Sequence, residues 1–356
     1  MQYTEIDYKR LSDDYEKWWN KELDRPIFNI VLKNGPQFTR GELLEFVYDL
    51  NLPAEEVMKL YEKQFSAQDF LADGFPFFYV RTTGLLGVFM GQEYEVSPAN
   101  GTVWYKGMET DPENMHFQVD KNHPMYRRMM ELNVKFQDYF KGKAVLGGAN
   151  LGGVCDVYHS IRGMENTIYD LSDYPDEVKA GMNEIHDQWM MVQKELLNVI
   201  DPGINHGYTH WTGILTKVPY DMIQADLAFL VGPDDYREFI HPLIVKEAQA
   251  FERSMLHLDG PGFIKHMPDI LGIPELNGVQ WIPGAGAAPV GEWDEFYDMV
   301  DASDKLLQVF IEKPEEIPMI ETIVSHFKDP SRICFICSGT EGDRKAYEDV
   351  LKKWIR

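Results

Sequence analysis

The stretch GPDDYREFIHPLIVKEAQAFERSMLHLDG, residues 232–260, holds the unit that decides the fold. It opens with Pro233 and two aspartates, which suit a first helical turn because proline fits there and the helix dipole favours acidic charge. It ends in SMLHL, residues 254–258, a short and mostly apolar run typical of a buried parallel strand. A helix that leads into a buried strand indicates an α/β protein.

The same alternation recurs along the chain. Short, mostly apolar runs predict eight strands, at residues 26–32, 77–82, 145–149, 207–211, 254–258, 278–282, 306–311 and 332–336. Helix-like stretches separate them, among them one that opens with YPDEVK at residues 174–179. Eight strand–helix repeats favour a (β/α)8 TIM barrel, with an open doubly wound sheet as the structural alternative.

The chain has 356 residues without a linker or low-complexity tract, so we predict one barrel domain over residues 1–356. Residues 1–25 are polar and amphipathic and predict an N-terminal helical extension. Residues 53–62 predict a further helix, and residues 91–110 predict an extension with a hairpin. We expect both segments to decorate the mouth of the barrel.

Composition narrows the class of protein. The formal net charge of −24 repels nucleic acid and anionic lipid, so we expect no nucleic-acid partner. No apolar run reaches the roughly 18 residues of a membrane span, so we expect no span, and we do not expect the polar N-terminus to be a signal peptide. Three cysteines form no disulfide framework and predict a cytoplasmic protein. An aromatic content of 13% suits a large core and a pocket for a small molecule.

The fifth predicted strand is followed by the strongest candidate site. Functional groups of barrels gather at the carboxyl ends of the strands, and His257 and Asp259 lie at such an end. Two residues apart on an extended segment, their side chains face the same way. They suit either a divalent metal or an acid/base couple. The alternative is a histidine bonded to neighbouring backbone and an aspartate that caps the next helix.

The last predicted strand offers a sulfur ligand. Cys337 lies at its tip, whereas Cys334 lies three residues earlier, and the opposite parity of the two positions predicts that they face different sides. Cys334 is interpreted as a core residue. Cys337 is a candidate thiolate ligand, with a small packed side chain as the competing interpretation.

Other strand ends supply candidates for substrate binding or catalysis. Asp226, ahead of an apolar run, suits an acid/base role or the capping of a helix. Arg81, His210, Trp281 and Glu312 also lie at or near predicted strand ends and are candidate substrate-binding residues. Each has an ordinary alternative, namely an ion pair for the charged side chains and the core for the tryptophan. Polar residues after the third strand are not ranked by their pattern: Asn150, Asp156, Tyr158 and His159.

Six short blocks of the sequence carry a family resemblance: RGME at 162–165, YPDEV at 174–178, QAD at 224–226, GPDDYREF at 232–239, LHLDG at 256–260 and CSG at 337–339. Together they resemble the uroporphyrinogen decarboxylase-like superfamily, which includes zinc-dependent corrinoid:coenzyme M-type methyltransferases and the cobalamin-independent methionine synthase core. They span about residues 140 to 340. Their order is fairly specific for the fold and only loosely specific for the reaction.

The resemblance implies a zinc site. His257 and Cys337 match ligands of the methyltransferases, and Asp259 stands where that family has a cysteine, so it is expected as third ligand or in the shell around the metal. In the family, zinc lowers the pKa of a thiol that accepts a methyl group. A carboxylate in place of a thiolate makes the metal harder, so activation of a hydroxyl, water or carbonyl becomes a competitor.

We therefore expect a metal-dependent methyltransferase that moves a methyl group between a small methylated donor, or a methyl-corrinoid protein as partner, and a small acceptor. A second hypothesis is a decarboxylase or lyase for a small hydroxylated acid, with Asp226 and His257 as its acid/base pair. A third is a non-catalytic ligand-binding barrel. Uroporphyrinogen decarboxylase itself is a poorer match, because residues 25–28 (RPIF) do not reproduce its arginine-rich N-terminal motif.

Overall fold

The computed structural model describes residues 1–81, 84–108 and 110–355. Eleven strands lie within these ranges: β1 Ile27–Lys33, β2 Gln68–Ala72, β3 Phe77–Val80, β4 Tyr94–Ser97, β5 Thr102–Tyr105, β6 Val145–Ala149, β7 Tyr220–Ile223, β8 Arg253–Asp259, β9 Gly278–Ile282, β10 Leu306–Ile311 and β11 Ile333–Thr340.

Helices alternate with most of the strands. Those of the described ranges are α1 Tyr8–Trp19, α2 Arg40–Tyr48, α3 Ala54–Ser66, α4 Leu85–Phe89, α5 Pro124–Phe140, α6 Val154–Arg162, α7 Met164–Asp173, α8 Pro175–Val199, α9 Pro202–Asn205, α10 Pro233–Asp235, α11 His241–Ala250, α12 Met267–Leu271, α13 Asp294–Ala302, α14 Met319–Ser325 and α15 Arg344–Trp354. None of them combines the length and the apolar character that crossing a bilayer requires.

The main sheet has seven strands in the order β2-β1-β11-β10-β9-β8-β7. Six of them run parallel, and β2 pairs with β1 in the antiparallel sense. A separate parallel pair joins β3 to β6, and β4 with β5 forms a hairpin. The prediction of an α/β protein is confirmed. The closed TIM barrel is not confirmed, because the hydrogen-bonded sheet does not close on itself.

One predicted strand is wrong. The run at 207–211 forms only an isolated bridge between Tyr208 and Thr216, and the strand of this part of the chain is β7, nine residues beyond Trp211. Gly207 has φ +122°, and an added Cβ there would lie 2.3 Å from the backbone oxygen of Thr216. This backbone suits a turn rather than an extended strand. The predicted run 77–82 begins as β3, but its last residue, Thr82, lies outside the described residues.

The two segments expected to decorate the barrel mouth have the predicted secondary structure. The helix α3 begins directly after Pro53, and β4 with β5 supplies the hairpin of residues 91–110, of which Glu109 lies outside the described ranges. Thr102 and Val103 of the hairpin line the main cavity described below.

Side chains of the parallel strands divide between two faces. On β8, Met255 packs in a smaller apolar cluster together with α1, whereas Leu256 and Leu258 join the larger core beneath the outer helices. We call the first side the inner face. Alternation places His257 and Asp259 on the inner face with Met255.

The helix α1 closes the inner face at the beginnings of the strands. Asp7 caps it by accepting from the backbone nitrogen of Arg10, and Trp18 and Trp19 are buried against the smaller cluster. The indole of Trp19 donates to the carbonyl of Leu215 at 3.0 Å. The N-terminal extension therefore covers the inner face at the amino ends of the strands. A site on this face is left at their carboxyl ends.

Candidate metal centre

Three side chains converge at the carboxyl end of β8 and in the turn after β7. Asp226, His257 and Asp259 each offer one ligand atom, and these atoms lie within 4.8 Å of one another. The Nε2 of His257 lies 3.9 Å from Oδ1 of Asp226. His257 is buried, whereas both carboxylates are open to the cavity. Asp226 is therefore a third candidate ligand beside the predicted pair His257 and Asp259.

The imidazole of His257 is held from two sides. Its Nδ1 lies 2.5 Å from Oε1 of Gln280 on the neighbouring strand, and the ring of Trp211 meets it edge-on at 5.2 Å between centroids. These contacts leave Nε2 directed at the carboxylates.

The charges of the cluster are unbalanced. Neither Asp226 nor Asp259 pairs with a lysine or arginine among the described residues. The Asp226 side chain is 47% exposed, on its cavity side, but desolvation by the protein around it and the charges of Asp156 and Asp259 raise its pKa. Burial also lowers the pKa of His257, so its ring is neutral at pH 7. A neutral imidazole beside two carboxyl groups that have no basic partner is a donor set that suits a divalent cation, which would displace the proton of Asp226 on binding.

The chemistry of the donor set fits zinc. Catalytic zinc sites commonly have three protein ligands of nitrogen and oxygen type and keep one position open for water or substrate. One imidazole and two carboxylates meet this requirement, and the open position would face the cavity. The set contains no thiolate, so it is harder than the set that the resemblance implies.

A cavity of about 590 Å³ lies above the cluster. Its walls come from both the main sheet and the β3–β6 pair: Phe77, Tyr79, Arg81, Asn150, Trp211, Gln224, Asp226, His257, Asp259, Ile282, Phe310 and Glu312, with Arg40, Leu44 and residues 101–103 at its rim. The predicted substrate-binding residues Arg81 and Glu312 therefore line the same space as the cluster. The guanidinium of Arg81 stacks on Tyr79 at 4.8 Å and has no carboxylate partner among the described residues.

A second cavity of about 360 Å³ shares three residues with the first, namely Gln224, Asp226 and Asp259. Its other walls include the apolar side chains of Met164, Leu227, Phe229 and Leu230. Met164, Phe229 and Leu230 are also exposed on the surface. The carboxylates of the cluster thus border both the main cavity, whose lining is mixed, and a second, largely apolar one.

The structure does not place Cys337 in the cluster. Along β11 the parity runs opposite to the expectation, because Cys334 joins the inner cluster and Cys337 lies buried in the outer core against Tyr347. Burial raises the pKa of the Cys337 thiol. A protonated thiol on the outer face is no ligand for a group bound on the inner face, so Asp226 takes its place in the candidate ligand set.

Two further candidates lie outside the cavity. Trp281 is on the outer face of β9, where its ring stacks on Phe296 at 4.3 Å. His210 is buried 3.9 Å from Asp221, and burial lowers its pKa to about 4. The prediction that both bind substrate is corrected by these placements: Trp281 is a core tryptophan, and His210 belongs to a buried polar pair.

Residues that the sequence analysis did not select contribute to the site. Gln280 and Gln308 carry amide side chains in the middle of otherwise apolar strands, GVQWI and LLQVFI. A buried polar residue in an apolar strand indicates a specific hydrogen-bonding role, so these two positions could have been selected from the sequence. Tyr79 and Arg40 carry no comparable signal. Tyr79 reaches the cavity from β3 in its wall, and Arg40 reaches its rim from the first residue of α2.

No protein-family model matches this chain, and no curated protein matches it either. Among solved structures, a methyltransferase from Methanosarcina mazei is similar with a TM-score of 0.65 and 12% sequence identity. The similarity covers 96% of this chain and 98% of that one. The chain as a whole therefore shares the fold of a methyltransferase.

Proposed function

We propose that this protein is a metal-dependent methyltransferase whose zinc ion is held by Asp226, His257 and Asp259. The observation that carries the proposal is the convergence of these three side chains at the floor of a cavity. The fold shared with a methyltransferase supports the type of reaction. The methyl group would pass between a small methylated donor, or a methyl-corrinoid protein, and a small acceptor.

Zinc at this position would supply Lewis acidity that lowers the pKa of an acceptor group. Because the donor set is hard, a hydroxyl is favoured over a thiol as that group. The unpaired guanidinium of Arg81 would bind an acidic group of the acceptor, and Trp211 would shield the reacting atoms from water.

The two cavities suit a transfer between two molecules. Both border Asp226 and Asp259, so a donor and an acceptor can approach the same point from different sides. The exposed Met164, Phe229 and Leu230 favour delivery of the donor from outside, as by a corrinoid protein.

We also infer that the two parallel sheets are walls of one barrel of the (β/α)8 type, because residues of both line the main cavity. The blocks between residues 162 and 339 support membership in the uroporphyrinogen decarboxylase-like superfamily. The three free cysteines support a cytoplasmic location.

The ligand set is tested by Asp226→Asn and Asp259→Asn, with Glu312→Gln as the matched control. Glu312 lines the same cavity but lies outside the cluster. We expect each asparagine variant to weaken zinc binding by about tenfold or more, because it removes a charged ligand, and Glu312→Gln to bind like the wild type. Competition with a chromogenic chelator measures the affinities. Wild-type affinity in both asparagine variants would contradict the ligand set.

One observation favours the second candidate, a decarboxylase or lyase without metal. Asp226, with its raised pKa, lies 3.9 Å from the neutral His257, and the two suit a general acid and base. In that case chelation would leave turnover of a small hydroxylated acid unchanged, whereas Asp226→Asn would abolish it. Loss of turnover on chelation, restored by zinc, would instead support the methyltransferase.

A further inference from the structure

We propose that Gln280 and Gln308 are positioning residues that fix the proton of His257 on Nδ1, so that Nε2 presents its lone pair to the metal centre. The inference rests on the proposed function, since it concerns a ligand of that centre, but it makes a claim about the metal-free protein as well.

The three side chains form one line across the inner face. In the register of the sheet, Gln280 on β9 pairs with His257 on β8 and with Gln308 on β10. Nδ1 of His257 lies 2.5 Å from Oε1 of Gln280. Nε2 of Gln280 lies 2.6 Å from Oε1 of Gln308, and Nε2 of Gln308 lies 3.0 Å from the carbonyl oxygen of Thr212. We call this line the amide relay.

The direction of the amide relay is set at its far end. The carbonyl of Thr212 can only accept, so Gln308 must turn its NH2 group towards it. The oxygen of Gln308 then faces Gln280 and must receive a donor, which turns the NH2 group of Gln280 towards it. The oxygen of Gln280 is left for His257, and it accepts only if Nδ1 carries the proton.

The opposite orientation of the two glutamine amides is unfavourable. It would place the amide oxygen of Gln308 against the carbonyl oxygen of Thr212, two acceptors without a proton between them. Both glutamine side chains are fully buried, so water does not relieve the contact. An unmet polar group in such a place costs far more than the net gain from a hydrogen bond in water.

The consequence for His257 is specific. An imidazole free in water favours the tautomer with its proton on Nε2, the nitrogen that here points at Asp226 and the cavity. The amide relay selects the other tautomer before any ligand arrives. Removal of a side chain that hydrogen-bonds a metal-binding histidine typically lowers metal affinity by about 10–100-fold.

The test measures the tautomer and the zinc affinity separately. Long-range ¹H–¹⁵N correlation spectra of the metal-free protein, recorded above the pKa of the ring, should show Nδ1 of His257 protonated and Nε2 unprotonated. In Gln280→Met the proton should move to Nε2, and zinc affinity, measured by chelator competition, should fall about 10–100-fold. Gln280→Glu, whose protonated carboxyl can donate to Gln308 and accept from Nδ1–H of His257, should restore both readings.

Asn29→Leu is the matched control. It also removes a buried inner-face amide, one that donates to the carbonyl of Gly213 and has no contact with His257. We expect it to change neither the tautomer nor the affinity. A wild-type protein with the proton on Nε2 would overturn the amide relay whether or not any variant folds. A wild type with the expected tautomer but without zinc binding would overturn the proposed function and leave the relay standing.

Discussion

At the scale of single residues, the buried pair of His210 and Asp221 shows burial outweighing attraction. The two side chains lie 3.9 Å apart, yet at pH 6 both hold the form without charge. Burial raises the pKa of Asp221 to about 7 and lowers that of His210 to about 4. The pair is therefore a neutral polar contact at pH 6 and becomes a buried negative charge when the pH rises.

The stability of the protein should depend on pH through the ionisation of Asp221. Since the pKa of Asp221 is higher in the folded chain than the ordinary value of 3.8, the folded state binds more protons, and stability falls as the pH rises from about 4 through 7. Asp221→Asn removes that loss. We expect it to raise the free energy of unfolding by about 1–4 kcal/mol at pH 8 and to have little effect at pH 4.

Urea denaturation at the two pH values measures the difference, and Asp234→Asn, at a fully exposed position, is the control. An equal effect of Asp221→Asn at both pH values would contradict the role of burial.

Residue positions near a strand end were predicted with uneven success. His257 and Asp259 share a face because they are two apart, and this holds on any extended segment. The sequence predicts Cys337 and Trp281 on the inner side, but in the structure both lie on the outer one. Buried parallel strands are apolar on both faces, so the sequence carries no alternation that marks the inner side.

At the scale of elements, α1 is a structural part of the inner core. Trp18 is fully buried, and the helix covers the first residues of several strands. The amphipathic pattern of residues 1–25 predicted the helix. It did not predict what the helix covers, because that surface forms only when distant strands assemble.

We expect Trp18→Ala to lower the free energy of unfolding by about 3–5 kcal/mol, because it leaves a large cavity beneath the strands. Trp104→Ala, at a tryptophan that is 59% exposed on the hairpin, should cost much less. Urea denaturation of both variants provides the comparison. Equal losses would show that α1 packs no more tightly than a surface segment.

At the scale of the whole molecule, eight repeats of strand and helix were sufficient to predict an α/β protein. They were not sufficient to predict how the sheet is joined. Closure depends on hydrogen bonds between strands far apart in sequence, and here β6 and β7 do not pair. The loop that replaces the predicted strand at 207–211 instead brings Trp211 beside His257. The break in the sheet thus contributes to the wall of the site.

The central claim is a metal ion bound at the carboxyl ends of β7 and β8. The most direct test is elemental analysis of the purified wild type, of His257→Ala and of His326→Ala as control. His326 lies between Asp294 and Asp298 on the surface, away from the cluster. We predict about one zinc per chain in the wild type and the control and nearly none in His257→Ala. Metal retained in His257→Ala, or absent from all three proteins, would contradict the account.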